Sequence, residues 1–331
     1  MSNRTRTLAS LASVALLIPS LAACSGADDP TADPGGTAGA SGAAGAAGGA
    51  GAGGGSAGAG GSVGGAAAYQ VATVGTPALT VGKSALQLRI QNGDTTPATG
   101  LAGAVALSPL MTMPQMSHGG PVPPDAVVES AVPGTYDVTL FFPMASTDAS
   151  GMSMGQWTLD VAVGKQPPVR LDLAVAPPKT TDTTHVALQN ASDTIASSKG
   201  PSNRKYMVFR DTLQAAAGGH QVGVFLATIQ EGNMVWPPVT TGLVLKDGSG
   251  ATQLTIDSVE VSGSVDGSTW TPMPCGQNAR CMGVLPGSPS PGKVFVKLRI
   301  NGKDYTTDGM APNADPAKPN AFATFVVTGG S

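Results

Sequence analysis

An all-β chain behind a non-globular leader is the fold class that the sequence predicts, and three observations predict it. Beyond residue 67, apolar residues recur with a period of two rather than 3.6. Clusters of Gly, Pro, Asn and Asp divide these segments at short intervals, as turns between half-buried strands do. No segment carries a convincing amphipathic helical stripe. The expected order is a signal peptide (1–23), a disordered Gly/Ala/Ser-rich linker (24–67) and two β-sandwich modules, residues 68–176 and 181–331.

The chain of 331 residues opens with Arg4 and Arg6, followed by an apolar run from Leu8 to Leu21 that ends in Leu21-Ala22-Ala23-Cys24. A run of that length suits a signal-peptide core and is too short to span a bilayer. Leu-Ala-Ala-Cys has the form of a bacterial lipobox, in which the Cys24 thiol is acylated and becomes the mature N-terminus. The other reading is an ordinary secretory signal with a chance Cys. Several acyl chains anchor a protein stably where one holds it only marginally. Ser25, not Asp, follows the Cys, which by resemblance points to the outer membrane. The expectation is a cell-envelope lipoprotein whose membrane partner is reached through Cys24, on the periplasmic face or the cell surface.

The linker follows. Residues 35–66 contain 16 Gly, and no charged residue occurs between Asp33 and Lys83. Such a tract cannot bury enough surface to offset the entropy of ordering, so it reads as a coil with an r.m.s. reach of roughly 35 Å.

In the first module Leu86, Leu88 and Ile90 alternate with Gln87, Arg89 and Gln91. Tyr136, Val138, Leu140 and Phe142 alternate with Asp137, Thr139 and Phe141, and Trp157, Leu159, Val161 and Val163 repeat the pattern. The Pro-rich stretch 165–184 interrupts it. Strand-like segments resume at 206–210, 222–229, 240–245, 254–261 and 294–300. Asp266-Gly267 and Asn301-Gly302 accept the positive φ of two-residue hairpin turns. Short antiparallel strands at this spacing predict immunoglobulin-like sandwiches.

A net charge of −3 supplies no basic field for phosphate backbones, so nucleic acid is not an expected partner. Only His118, His185 and His220 are present; there is no His-Glu-x-x-His, Cys-x-x-Cys or Gly-x-Ser-x-Gly elbow, and no nucleophile–base pair is visible. The chain is therefore not expected to be an enzyme. His185 and His220 read as solvated turn residues. Asp247-Gly248-Ser249-Gly250 reads as a turn, since the later acidic ligand of a calcium loop is missing.

Cys275 and Cys281 lie in Pro-Cys-Gly-Gln-Asn-Ala-Arg-Cys. In an oxidising compartment they are expected to pair, contributing about 2–2.5 kcal/mol through the unfolded chain. A soft-metal site flanked by Met273 and Met282 is the alternative.

Six of the twelve Met residues fall between positions 111 and 154: Met111, Met113, Met116, Met144, Met152 and Met154, with His118 among them. Thioethers are soft, uncharged ligands that select Cu(I), and imidazole suits both copper oxidation states. A Met-x-Met pair in an extended chain projects both sulfurs to one side. Two readings stay open. Met111, Met113 and Met144 share parity with core positions, and Met fills core gaps well. Met116, His118, Met152 and Met154 lie instead among Ser, Gly and Thr, as loop residues do. The candidate metal ligands are Met113, Met116 and His118 with Met152 and Met154, and Met111 and Met144 are assigned to packing.

The segments Met113-Pro114-Gln115-Met116-Ser117-His118, Gly134-Thr135-Tyr136, Phe142-Pro143-Met144 and Gly155-Gln156-Trp157 together resemble the YtkA-like/FixH-like family of exported β-sandwich domains, over residues about 98–163. The resemblance implies copper as the bound cofactor and a role in its handling. FixH proper has a transmembrane helix, whereas this chain has a lipobox and a tether. The alternative expectation is a structural or interaction lipoprotein that presents its modules to an envelope protein and binds no metal.

Overall fold

The computed structural model describes residues 69–178, 182–196, 200–230, 235–247, 249–287, 292–313 and 319–326. Cys24, with the expected signal peptide and the whole of the expected linker, lies outside the described residues. Those residues form strands and turns, with one short 3-10 turn at Ala102–Ala104. Among them no helix is long and apolar enough to cross a membrane.

The first module is built from β1 (Gln70–Thr73), β2 (Leu79–Thr80), β3 (Gly82–Gln91), β4 (Val105–Thr112), β5 (Ser117–Gly119), β6 (Val127–Glu129), β7 (Thr135–Phe142), β8 (Gln156–Val163), β9 (Val169–Leu173) and β10 (Val175–Ala176). One sheet runs β1-β3-β7-β6 and the other β5-β4-β8-β9, while β2 and β10 form a parallel pair. The period-two residues explain why. Leu86 and Leu88 of β3, Val138, Leu140 and Phe142 of β7, and Trp157, Leu159 and Val161 of β8 meet in one buried core. Each such side chain contributes about 1.5–3 kcal/mol on leaving water. If β1, β3, β4, β6, β7, β8 and β9 take the places A to G, this is the ABED/CFG order of the immunoglobulin sandwich, with β5 added beside β4.

The second module comprises β11 (His185–Ile195), β12 (Ser202–Ala216), β13 (Gly219–Thr228), β14 (Val244–Lys246), β15 (Thr252–Thr255), β16 (Val259–Ser264), β17 (Thr271–Pro272), β18 (Arg280–Pro286), β19 (Lys293–Ile300), β20 (Lys303–Tyr305) and β21 (Ala323–Val326). Its sheets run β11-β12-β13-β18 and β17-β16-β19-β20, with β21 also on β19, and β14 and β15 form a separate hairpin. Three sequential strands lie side by side because the β12–β13 hairpin is tight, with Ala216 opposite Gly219. The second module is all-β like the first, with a strand order that differs from ABED/CFG.

The two hairpin signals have different outcomes. Asn301-Gly302 makes the expected two-residue turn: Ile300 faces Lys303, and the two residues have φ of 51° and 73°. Asp266-Gly267 sits in a longer loop between β16 and β17. There the Asp266 carboxylate accepts hydrogen bonds from the Ser268 and Thr269 amides at 2.8 and 2.7 Å.

The modules share a sealed junction. Phe142 points into the first core against Trp157, with ring centroids 5.1 Å apart. Phe141, one residue earlier, faces the other way and is also fully buried, stacked on Phe225 at 4.4 Å and tilted against Phe209 at 5.3 Å. The loop closed by the Cys275–Cys281 disulfide completes the seal. Its Ala279 is buried in the Phe141 cluster. Its Asn278 and Arg280 donate to Asp125 of the first module at 2.8 and 3.2 Å, and Arg280 also donates to the buried Asp211 at 2.6 Å. The Arg280 guanidinium lies 5.8 Å from the centre of the Phe141 ring. Lys83 of the first module reaches Asp211 at 2.8 Å. Arg280→Ala is expected to cost about 2 kcal/mol, the scale of lost hydrogen bonds to charged groups, and to divide a single calorimetric unfolding transition into two.

A second ionic cluster lies inside the second module. Arg204, with no exposed surface, donates to Asp193 at 3.1 Å, to the Ile229 carbonyl at 2.9 Å and to Gln253. Tyr206 and Tyr305 donate to the other Asp193 oxygen at 2.7 and 2.9 Å. Burial pushes both phenols far above their ordinary range, so they stay protonated donors. Asp193→Asn is expected to cost about 3–5 kcal/mol, because a buried guanidinium loses its countercharge. The solvent-exposed Arg170–Asp160 pair makes the control: Arg170→Ala is expected to cost less than about 1 kcal/mol in the same denaturant titration.

Candidate metal centre

The methionine cluster maps to one rim of the first module. β4 ends at Thr112, flanked by Ser117 of β5 and by Gln156 of β8. In this register Met111 stands opposite both His118 and Trp157, so the three side chains share the inward face. Met113 continues that face by the strand period, and its amide donates to the Met116 carbonyl at 2.9 Å, closing the hairpin.

Gly155 joins the second loop to this hairpin. A Cβ at Gly155 would lie 2.7 Å from Met113 Cγ, 2.9 Å from Met111 Cε and 2.7 Å from the Thr112 carbonyl oxygen. The two side chains therefore converge on the space that the glycine leaves empty. Met154 precedes it, and the amides of Met154 and Gly155 both donate to the Ser146 carbonyl, at 2.8 and 3.3 Å. Farther out, Asp148 shapes the loop tip. Its Oδ1 accepts from the amides of Ser150 and Met152, each at 2.9 Å, and from the Ser150 hydroxyl at 2.6 Å. Those bonds, the Ser150 hydroxyl first, hold the Asp148 carboxyl below its usual range.

Exposure is graded across the rim. Met111 is fully buried, and Met113 and Met144 are half-buried against the core. Met116, Met154 and Met152 are 48%, 39% and 69% exposed. His118 is half-buried on β5, and burial lowers its pKa, which leaves the imidazole neutral near neutral pH. Met111 and Met144 are thus packing residues, as their parity suggests; the Met144 carbonyl also accepts the Trp157 indole N–H at 3.1 Å. The five candidate ligands come from the β4–β5 hairpin and from the loop that leads into β8. Among the described residues no group of three or more His, Cys, Asp or Glu could hold a metal ion, so a metal at this rim would rest on thioethers with His118.

The remaining candidates fall elsewhere. Cys275 and Cys281 are joined as a disulfide; Met273 is buried in the second core, and Met282 accepts from Gln221. Asp247 repeats the Asp148 turn, accepting from the amides of Ser249 and Ala251. His185 and His220 are strand residues, not the turn residues expected. His185 opens β11 with its ring 5.3 Å from that of Phe209, and His220 lies on β13 with Nδ1 3.2 Å from the Gly287 carbonyl. Both follow turn-forming residues, which is why their neighbours disguise them. Gly155, which the sequence shows only as the first residue of Gly155-Gln156-Trp157, owes its place to the close approach of Met111 and Met113.

No family model matches the chain, and no curated protein matches it. Among solved structures it is similar to the Yersinia pseudotuberculosis adhesin InvE, at 14% identity and a TM-score of 0.21, over 78% of this chain and 58% of that one. It is also similar to surface layer protein SbsC, domains 1–6, at 10% identity and a TM-score of 0.22, over 79% of this chain and 25% of that one. The chain thus spans little more than half of the first and a quarter of the second.

Gly155→Ala is expected to push apart the Met111 and Met113 side chains and to cost about 1–3 kcal/mol by overpacking, since the Thr112 carbonyl cannot turn aside. Equilibrium denaturation checks the cost. Amide exchange at Met113 checks whether the hairpin opens.

Proposed function

We propose that this chain is an envelope lipoprotein, anchored through Cys24, whose first module binds copper as Cu(I) at the methionine rim for handling or transfer. The observation that supports the reading best is the β4–β5 register, which puts His118 on the face of Met111 and Met113, with Met116 joined to Met113 through its carbonyl and Gly155 packed against Met111 and Met113. The donor set suits the ion: thioethers are soft, and a neutral imidazole binds without first losing a proton. Met113 and His118 would supply the sheltered donors, and Met116, Met152 and Met154 the accessible ones. Copper is the cargo of this reading, and the chain's own residues do the selecting.

An interaction module is the competing reading. Three exposed methionines on one rim also form an apolar patch able to meet an envelope protein.

Titration of the purified full-length protein with Cu(I) against a chelating competitor separates the two. The combined Met116→Leu/His118→Ala variant is expected to bind roughly tenfold or more weakly, about 1.4 kcal/mol per decade. Wild-type and variant proteins that compete equally poorly would leave the interaction reading. Radiolabelled fatty acid incorporated into the wild type and not into Cys24→Ser checks the anchor.

A further inference from the structure

We propose that Met116, Met152 and Met154 are oxidant-modified sites, and that their conversion to sulfoxides switches off metal capture at the rim. The switching half rests on the copper reading; the modification does not.

The reactive atoms are sorted by shelter. Met152, Met116 and Met154 present sulfurs on side chains 69%, 48% and 39% exposed, while Met111, in the same strand register, has no exposed surface. A peroxide that reaches the rim attacks with its terminal oxygen. The sulfur lone pair forms an S–O bond, the peroxide O–O bond breaks, and sulfur gives up two electrons. The proton of the transferred oxygen passes to the departing hydroxide, which leaves as water. Hydrogen peroxide and a thioether thus become water and a sulfoxide.

The fold absorbs this change. Met152 is held by its main chain, the amide on Asp148 Oδ1 and the carbonyl accepting from the Asp148 amide, each at 2.9 Å. Met116 is held by its carbonyl, which accepts from Met113. Neither side chain belongs to the buried core. A polar sulfoxide therefore alters the rim without unpacking the sandwich. Its oxygen is a hard donor, and its sulfur, with one lone pair spent in the S–O bond and the other held more tightly, is a poorer soft donor, so the modified rim suits Cu(I) less well. Reduction restores the thioether, which makes the step reversible.

The test treats purified full-length protein with graded hydrogen peroxide, maps sulfoxide at each Met by peptide mass spectrometry, and titrates each sample with Cu(I) against a competitor. Met116, Met152 and Met154 are expected to gain one oxygen well before Met111. Cu(I) affinity should fall roughly tenfold or more in step, and return after treatment with methionine sulfoxide reductases of both stereospecificities. Met310, 66% exposed in the second module, is the internal control: Met310→Leu should change neither the rim's oxidation nor the loss of affinity. The triple variant Met116→Leu/Met152→Leu/Met154→Leu keeps side-chain volume and should show, before any peroxide is added, the lowered Cu(I) affinity of the oxidised wild type. Rim residues that stay reduced while Met310 is oxidised overturn the modification. Full rim oxidation with unchanged affinity overturns the switch. If unoxidised protein takes up no Cu(I), the metal reading fails and the switch with it, and the mass map alone decides the modification.

Discussion

Two consecutive phenylalanines on one strand cannot face the same way, and here neither is exposed. Phe142 closes the first core on Trp157; Phe141 lies between the first module and the rings of Phe209 and Phe225 in the second. The end of β7 is therefore a wall shared by both modules, and much of the remaining architecture follows from it. A large apolar side chain on an outer sheet face has to be covered. The cover is a surface of β12, β13 and the disulfide-closed loop, pinned at its edge by Arg280 between Asp125 and Asp211. The modules are joined by packing and ion pairs, not by the chain connection alone.

How much of this was legible in the sequence differs from element to element. β3 and β8, and β7 as far as Leu140, were readable because one face is wetter than the other, so the apolar period marks the core side directly. Asn301-Gly302 was readable because a two-residue turn demands positive φ from both members. Phe141 was misassigned to the polar side of β7, since period-two reasoning allows a strand only one buried face. The sheet order of the second module was beyond local patterning, because pairing β13 with the distant β18 depends on which edges remain uncovered. The Cys275–Cys281 pairing followed from compartment and spacing. The loop's task of gripping Asp125 did not, since its partner lies in the other module.

The methionine rim was legible in its donor types and only partly in its geometry. Parity marked Met111 as a core residue and allowed the same of Met113; the structure buries the first and half-buries the second. His118 could be placed near Met116 by spacing. Its position opposite Met111 needs the hairpin register, which the Met113–Met116 hydrogen bond sets. The approach of the Met152–Met154 loop depends on Gly155, whose missing side chain is visible as a requirement only once Met111 and Met113 are seen to fill its space.

The position of this rim has a physical consequence for any ligand it takes. Met113 and Gly155 are the residues immediately beyond the paired ends of β4 and β8, so their separation is governed by ladder hydrogen bonds and not by loop flexibility. The outer loop adds its own main-chain bonds from Asp148 and Ser146, which limit how far Met152 and Met154 can swing. A donor set held in this way has already lost much of the conformational entropy that binding would otherwise remove. Flexibility is left to the thioether side chains, whose several rotatable bonds let sulfur adjust to an ion that has no strict geometry of its own. If the rim takes a metal as proposed, a stiff backbone frame with compliant soft donors would favour capture and release over permanent coordination, with the exposed outer sulfurs as its accessible donors.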